Sequence, residues 1–314
     1  MTQIDKSRFE WIGSDSARRE GISRPSTTFW KDAIGRLMKN KVAVVCFFII
    51  VLLILSCIIV PFFSPFESRE QHLGEVNKGF MTVCTDSRYE GQHHVHYFGT
   101  DNLGRDLFLR AFEGGRVSLM IAFAAVFVNL IVGLIYGGIS GYIGGAVDTI
   151  MMRIVEIVNG IPYLIVVILL MMVLPKGIFT MVVAYGITGW TGMARLVRGQ
   201  VLQLKSQEYI VAAEAMGAKS SRIIAKHLIP NALSVIIINV TLAIPSAIFT
   251  EAFLSYIGLG VPVPQPSWGV LAKGGQDVFM TYPYQLVVPA VAISLTMLSF
   301  NLLGDGLRDA LTRA

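Results

Sequence analysis

Apolar residues along this chain gather in long runs separated by polar stretches. Crossing about 30 Å of hydrocarbon takes roughly 20 mostly apolar residues in a helix. Val42 to about Phe63 meets that requirement without a charge and ends around Pro61 and Pro65. Further runs cover Val117 to about Tyr142, Ile150 to Leu174, Ile178 to Met193, Ala232 to about Leu254, and Leu286 to Leu303. The third carries Arg153 and Glu156 near its start, three positions apart on one helix face and placed to pair. Only Pro175, Lys176 and Gly177 separate the third run from the fourth. Backbone in lipid must satisfy its own hydrogen bonds, so each run is predicted to be helical. The expected fold class is an all-α integral membrane protein with about six transmembrane helices.

Composition supports this. The chain has 314 residues, 54% hydrophobic and 15% charged, whereas a soluble domain carries about 25% charged residues. A net charge of +5 without one dense basic patch does not point to nucleic acid. Basic residues set the orientation instead. With both termini cytoplasmic, 18 of the 26 lysines and arginines lie inside. The 53-residue outer segment 64–116 holds six basic and eight acidic residues and is nearly neutral. The expected organisation is a cytoplasmic segment 1–41, a first span 42–63, an outer loop 64–116, a core of five spans over 117–304 and a tail 305–314. The core contains the cytoplasmic loop 194–230. Some 40 polar and charged residues precede the first apolar run, which does not fit a signal peptide. Cys46, Cys57 and Cys84 imply no disulfide framework.

Gly133, Gly137, Gly141 and Gly145 recur every four residues and share a helix face, where a neighbouring backbone can come close. Pro162, Pro245 and Pro289 lie in or near three spans, and each can kink or loosen its helix. The phosphate-binding pattern G-x-x-x-x-G-K-[ST] does not occur; Ala218-Lys219-Ser220 is the nearest piece and lacks both glycines. His93, His94 and His96 sit together beside Tyr97. A closed metal site wants four ligands at spaced positions, so they read as solvated loop histidines and no metal is expected. No nucleophilic triad or paired carboxylate stands out, and the chain is not expected to be an enzyme or to hold a cofactor. Glu251 falls late in the fifth span without a basic neighbour in sequence, and either lines a pathway or holds helices together.

The loop 194–230 is long for a connection and reads as two short helices. Ser206 is placed to cap a helix over 208–216, and Gly217 to end it in the left-handed conformation. Ser220 or Ser221 starts the next, Arg222 to Leu228, with Pro230 leading into the fifth span. Ala212, Ala213 and Ala215 let a partner surface come close, while Tyr209 and Met216 offer anchoring area. On composition the first helix fits either an ordinary surface helix or one that docks a cytoplasmic partner.

The stretch YIVAAEAMGAKSSRIIAKHLIPNA resembles the loop shared by the membrane subunits of binding-protein-dependent ABC importers. Ala212, Ala213, Gly217 and Pro230 match its pattern; Val211, His227 and Ile229 depart from it. His227, a hydrophobic pair and Pro-Asn give the form of the peptide-importing branch. FGTDNLGRDLFLR (Phe98 to Arg110), FLSYIGLG (Phe253 to Gly260) followed by Ser267-Trp268-Gly269, and NLLGDGLRDAL (Asn301 to Leu311) resemble pieces of oligopeptide and dipeptide permease C-type subunits, in order. The resemblance covers roughly residues 30–314. It implies a bacterial cytoplasmic-membrane permease with a coupling helix that docks on an ATPase. Tyr209, Ala212, Ala213, Met216, Gly217, His227 and Pro230 are the expected coupling residues, with Glu251 and Trp268 as pathway or gate residues. The implied partners are a second homologous permease subunit, two ATPases that bind ATP and Mg, an extracytoplasmic binding protein and a peptide. Nickel or another small solute is the alternative cargo, and a stand-alone secondary transporter the rival class.

Overall fold

The computed structural model describes residues 29–85 and 94–312. His93, the first 28 residues of the N-terminal segment and the last two of the tail lie outside them. The first apolar run forms α2 (Lys41–Phe63), opened by the Asn40 side chain, which accepts from the Ala43 amide at 3.2 Å. A short amphipathic helix, α1 (Phe29–Lys39), precedes it. Cys46, Ile50 and Cys57 bury one face of α2, while Phe47, Phe48, Leu52, Phe62 and Phe63 are exposed. That apolar exposure suits a helix whose outer face meets lipid.

The second run forms α3 (Leu107–Ile143), which starts ten residues before the expected Val117. The Asp106 carboxylate accepts from the Leu109 amide at 2.7 Å, so a polar capped turn extends the helix beyond its apolar stretch. The third run is broken. Helices α4 (Gly145–Gly160) and α5 (Tyr163–Val173) meet at a 79° bend at Ile161 and Pro162, where proline has no amide to continue the ladder. The fourth run, expected over 178–193, is also divided at Gly189. Its parts are the 11-residue α6 (Ile178–Thr188) and the start of α7 (Trp190–Lys205). Eleven residues rise only about 16 Å. The last two runs lie in α10 (Ile229–Tyr256) and α12 (Tyr284–Thr312), where Pro245 and Pro289 are carried inside the helix. Four helical runs are long and apolar enough to cross a membrane, and five if the bent pair counts as one. The expected six are therefore not reached by length and composition among the described residues.

Helices α3 and α7 lie backbone to backbone. A Cβ on Gly137 would stand 2.3 Å from the Ala194 carbonyl oxygen, and one on Gly141 2.9 Å from that of Arg198. Gly133 faces Met193 in the same way. Three of the four spaced glycines thus form a packing seam. The fourth, Gly145, instead opens α4 at φ +56° with open space beside it. At the end of the seam the Arg198 guanidinium grips Asp148 with two hydrogen bonds of 2.5 Å, tying α7 to α4, and Ser140 donates to the same carboxylate at 2.6 Å. Arg153 and Glu156 pair at 2.7 Å on the exposed face, as expected.

The segment 64–106 is folded rather than loose. Strands β1 (Thr82–Val83) and β2 (Val95–His96) pair antiparallel, with Thr82 opposite His96. From α12, the Tyr284 hydroxyl donates to the Lys78 carbonyl at 2.8 Å and the Gln285 amide to Asn77 Oδ1 at 2.8 Å. This end of the bundle is the hairpin end. Replacing Gly137 by Leu is expected to wedge α3 from α7 and cost about 1–3 kcal/mol, read as a lower Tm of the detergent-solubilised protein. Gly192→Ala, at a position with open space, is expected to leave Tm unchanged or raise it.

Candidate functional site

At the opposite end, α7 gives way to the eight-residue α8 (Glu208–Ala215). Ser206 does not cap it as expected. Its hydroxyl donates back to the Gln203 carbonyl at 3.0 Å, closing α7, and Gln207 takes the cap position without a side-chain bond. Gly217 does end the helix, at φ +76°. The Gly217 and Ala218 amides reach back to the Glu214 and Ala213 carbonyls at 2.9 and 3.1 Å, satisfying the last turn.

The second short helix also differs from expectation. Residues 220–223 form α9 (Ser220–Ile223), a π-turn covers 224–228, and α10 follows with no gap. Pro230 therefore does not separate a surface helix from the span; it lies inside one continuous helical run, just after the π-turn. The Ile229 amide reaches the Ile224 carbonyl five residues back, the wide spacing that marks such a turn.

Helix α8 has one anchored face and one open face. Ile210 is fully buried with Ile223, Leu228, Val197, Val201, Ala232 and Ile236, which clamps α8 to α7, α9 and α10. Glu214 accepts from the Tyr142 hydroxyl at 3.0 Å, and Lys205 donates to the Tyr142 carbonyl at 2.6 Å. The short helix is thereby tied to the last turn of α3 and so to the glycine seam. Tyr209, Ala212, Met216 and Gly217 are exposed on the open face, with Met216 82% accessible. Of the other expected coupling residues, Ala213 turns inward, His227 is half-buried in the π-turn and Pro230 is exposed. Ile210, Glu214 and Tyr142 did not emerge from the sequence. A lone Ile in an Ala-rich helix marks an anchor, whereas Tyr142 lies 72 residues from its partner.

The expected gate residues lie toward the hairpin end. Trp268 opens α11 (Trp268–Asp277) and is buried against Gly115 and Cys57. Its indole donates to the Ala111 carbonyl at 2.9 Å, and its backbone amide to Ser118 Oγ at 3.1 Å. Glu251 is buried on α10 and accepts from Ser255 Oγ at 2.7 Å. Neither side chain lines the cavity of about 700 Å³ that opens beside them at the hairpin end. That cavity is lined by both signs of charge, among them Arg105, Lys176, Lys273 and Asp277.

The FGTDNLGRDLFLR segment builds a polar lock over this end. Asp101 accepts from the Leu103 and Arg105 amides at 2.9 and 3.0 Å and pairs with Arg105 at 2.7 Å. A Cβ on Gly104 would fall 1.9 Å from the His72 carbonyl oxygen. Buried Arg110 donates to the Ser68 carbonyl at 2.7 Å. His96, expected in solvent, is fully buried between Asp106 (Nδ1 at 2.7 Å) and Glu75 (Nε2 at 2.9 Å), with its ring stacked on Phe66. Burial alone would lower the His96 pKa and raise that of Glu75. The hydrogen bonds outweigh it, so the His96 pKa is raised and the Glu75 pKa is lowered.

Residues 130–314 match the family described as binding-protein-dependent transport system inner membrane component. Residues 28–79 match the N-terminal TM domain of oligopeptide transport permease C. The chain is 49% identical over 311 residues to the oligopeptide transport system permease protein OppC of Bacillus subtilis (strain 168), covering 99% of this chain and 98% of that protein. It is 47% identical over 293 residues to the dipeptide transport system permease protein DppC of the same strain, covering 93% and 88%. To the OppC of Escherichia coli (strain K12) it is 42% identical over 308 residues, covering 98% of each chain. Its fold resembles that of a chain in an inward-facing structure of the MetNI methionine ABC transporter. The TM-score there is 0.52 at 21% identity, over 65% of this chain and 97% of that one.

The two ends should respond differently to truncation. Trp268→Ala is expected to destabilise the protein by about 3–5 kcal/mol, seen as lost yield or a lowered Tm. Tyr209→Ala and Met216→Ala, on the open face of α8, are expected to leave Tm unchanged.

Proposed function

The chain belongs to the family of binding-protein-dependent transport system inner membrane components, and from that premise we propose that it is a permease subunit of an ATP-driven importer of oligopeptides or dipeptides. The observation that carries this reading is α8: a short helix clamped on one face to three neighbours and open on the other. Such a helix can receive a push at Tyr209, Ala212, Met216 and Gly217 and pass it through Ile210 and Glu214 into α7 and α3. The π-turn with His227, followed by Pro230 in α10, offers a pliable point between this surface and the span.

In this reading α8 faces the cytoplasm, in keeping with the basic residues around it, and docks on one of two ATPase subunits. ATP and Mg belong to those subunits, since the chain has no phosphate-binding loop of its own. Coupling requires the ATP-bound partners to favour one arrangement of the bundle over another. A second, homologous permease subunit completes the pathway in the bacterial cytoplasmic membrane. The hairpin end, with the charged cavity and residues 254–284, receives the extracytoplasmic binding protein and its peptide. Glu251 and Trp268 act there as a gate by holding α3, α10 and α11 together when it is closed. The two Bacillus relatives, named for oligopeptide and dipeptide transport, support the substrate class.

The test is Gly217→Asp. A side chain there meets nothing within 4 Å, so the change acts on the turn and the open face, not by a clash inside the chain. Peptide uptake is expected to fall to background, while the chain stays inserted and co-purifies with its permease partner. Normal uptake would refute the coupling role. Recovery of the wild-type chain alone, folded and in good yield from gently solubilised membranes, would refute the importer itself.

A further inference from the structure

Three metal-ligating side chains converge in the hairpin segment from three separate pieces of chain. Glu75 ends a 3-10 turn, Cys84 follows β1 and His96 closes β2. All three are buried, and one donor atom from each lies within 4.8 Å of the others. Cys84 Sγ is 3.2 Å and His96 Nε2 2.9 Å from the same oxygen, Glu75 Oε2. Adjacent ligands of a tetrahedral zinc ion stand about 3.3–3.6 Å apart, given the usual metal–ligand lengths. Those two pairs therefore need to open by only a few tenths of an ångström, while the third, between Cys84 and His96, is held within 4.8 Å.

His96 is also held as a ligand histidine usually is. Its Nδ1 lies 2.7 Å from Asp106 Oδ2, and this carboxylate fixes the ring with Nε2 toward Glu75 and Cys84. A carboxylate on the far nitrogen is the common support of a metal-bound imidazole, fixing its tautomer and raising its basicity. Asp106 is itself held by the Leu109 amide at the start of α3.

We propose that Glu75, Cys84 and His96 supply three ligands of a zinc site that clips the hairpin segment shut, leaving the fourth position to water, with Asp106 as the positioning residue that ties it to α3. One thiolate, one imidazole and one carboxylate suit a borderline divalent ion such as zinc and do not suit calcium or magnesium. Binding exchanges the protons at Cys84 Sγ and His96 Nε2 for the ion. The clip joins residues 75, 84 and 96; the segment it closes carries the Asn77 and Lys78 contacts to Gln285 and Tyr284 of α12, and the Thr100 contact follows four residues on. It thus stiffens the surface at the hairpin end. The site does not depend on the transport reading, and its test uses no transport measurement.

The full chain, purified from membranes with whatever subunits accompany it, is stripped with a chelator and titrated with zinc against a chromophoric competitor. The wild type is expected to bind one zinc more per chain than Cys84→Ser. Glu75→Gln is expected to bind at least about tenfold more weakly than the wild type. Cobalt in place of zinc should show a thiolate-to-metal charge-transfer band that Cys84→Ser abolishes, and zinc should raise the Tm of the stripped wild type only. Equal zinc binding by the wild type and Cys84→Ser would overturn the site, leaving a network held by protons alone. Loss of zinc in His94→Ala but not in Cys84→Ser would overturn it too, by moving the ion to the neighbouring histidine.

Discussion

Close contact between the backbones of α3 and α7 is the constraint on which most of this structure depends. In lipid, helices gain little from burying apolar surface against one another, because the surroundings are equally apolar. They associate where packing is tight enough for dispersion and polar contacts to favour the pair. Gly133, Gly137 and Gly141 allow that approach along about two turns of α3, and the Arg198–Asp148 pair closes the seam at one end. Both α6 and α8 adjoin α7, so the seam sets the position of the expected coupling surface as well as the centre of the bundle.

A second set of constraints operates at the hairpin end, where buried polar chemistry fixes the chain. Glu75, Asp101, Arg105, Asp106 and Arg110 are buried or nearly so, and hydrogen bonds or ion pairs hold each of them. Buried charge without partners is costly, so each member of this network depends on the others staying in place. The ends of the molecule thus differ in kind. The hairpin end is held by polar bonds over a buried tryptophan, whereas α8 is held by one apolar face and leaves the other open. That asymmetry suits a permease in which one end receives cargo and the other receives a mechanical input.

The long apolar runs, the absence of a phosphate-binding loop, the pairing of Arg153 with Glu156 and the left-handed end of α8 at Gly217 were all legible in the sequence. They depend on local composition, on spacing within one helix, or on the freedom of glycine at positive φ. So was membership of the family, because its motifs are short, ordered and close in spacing. Helix continuity was harder to read. Pro162 breaks a span while Pro245 and Pro289 do not, and proline chemistry is the same in all three.

What the sequence determined by itself was therefore the apolar runs that form the long helices and the position of the glycine turn that ends α8. Tertiary structure decided which polar groups would be buried and who would meet them. Glu214 meets Tyr142 across 72 residues, and Trp268 meets Ala111 across 157. His96, one of three loop histidines in sequence, becomes the buried centre of a network because Glu75 and Asp106 arrive from either side. No local pattern encodes such meetings. They follow from the path of the whole chain, which only the packed bundle fixes.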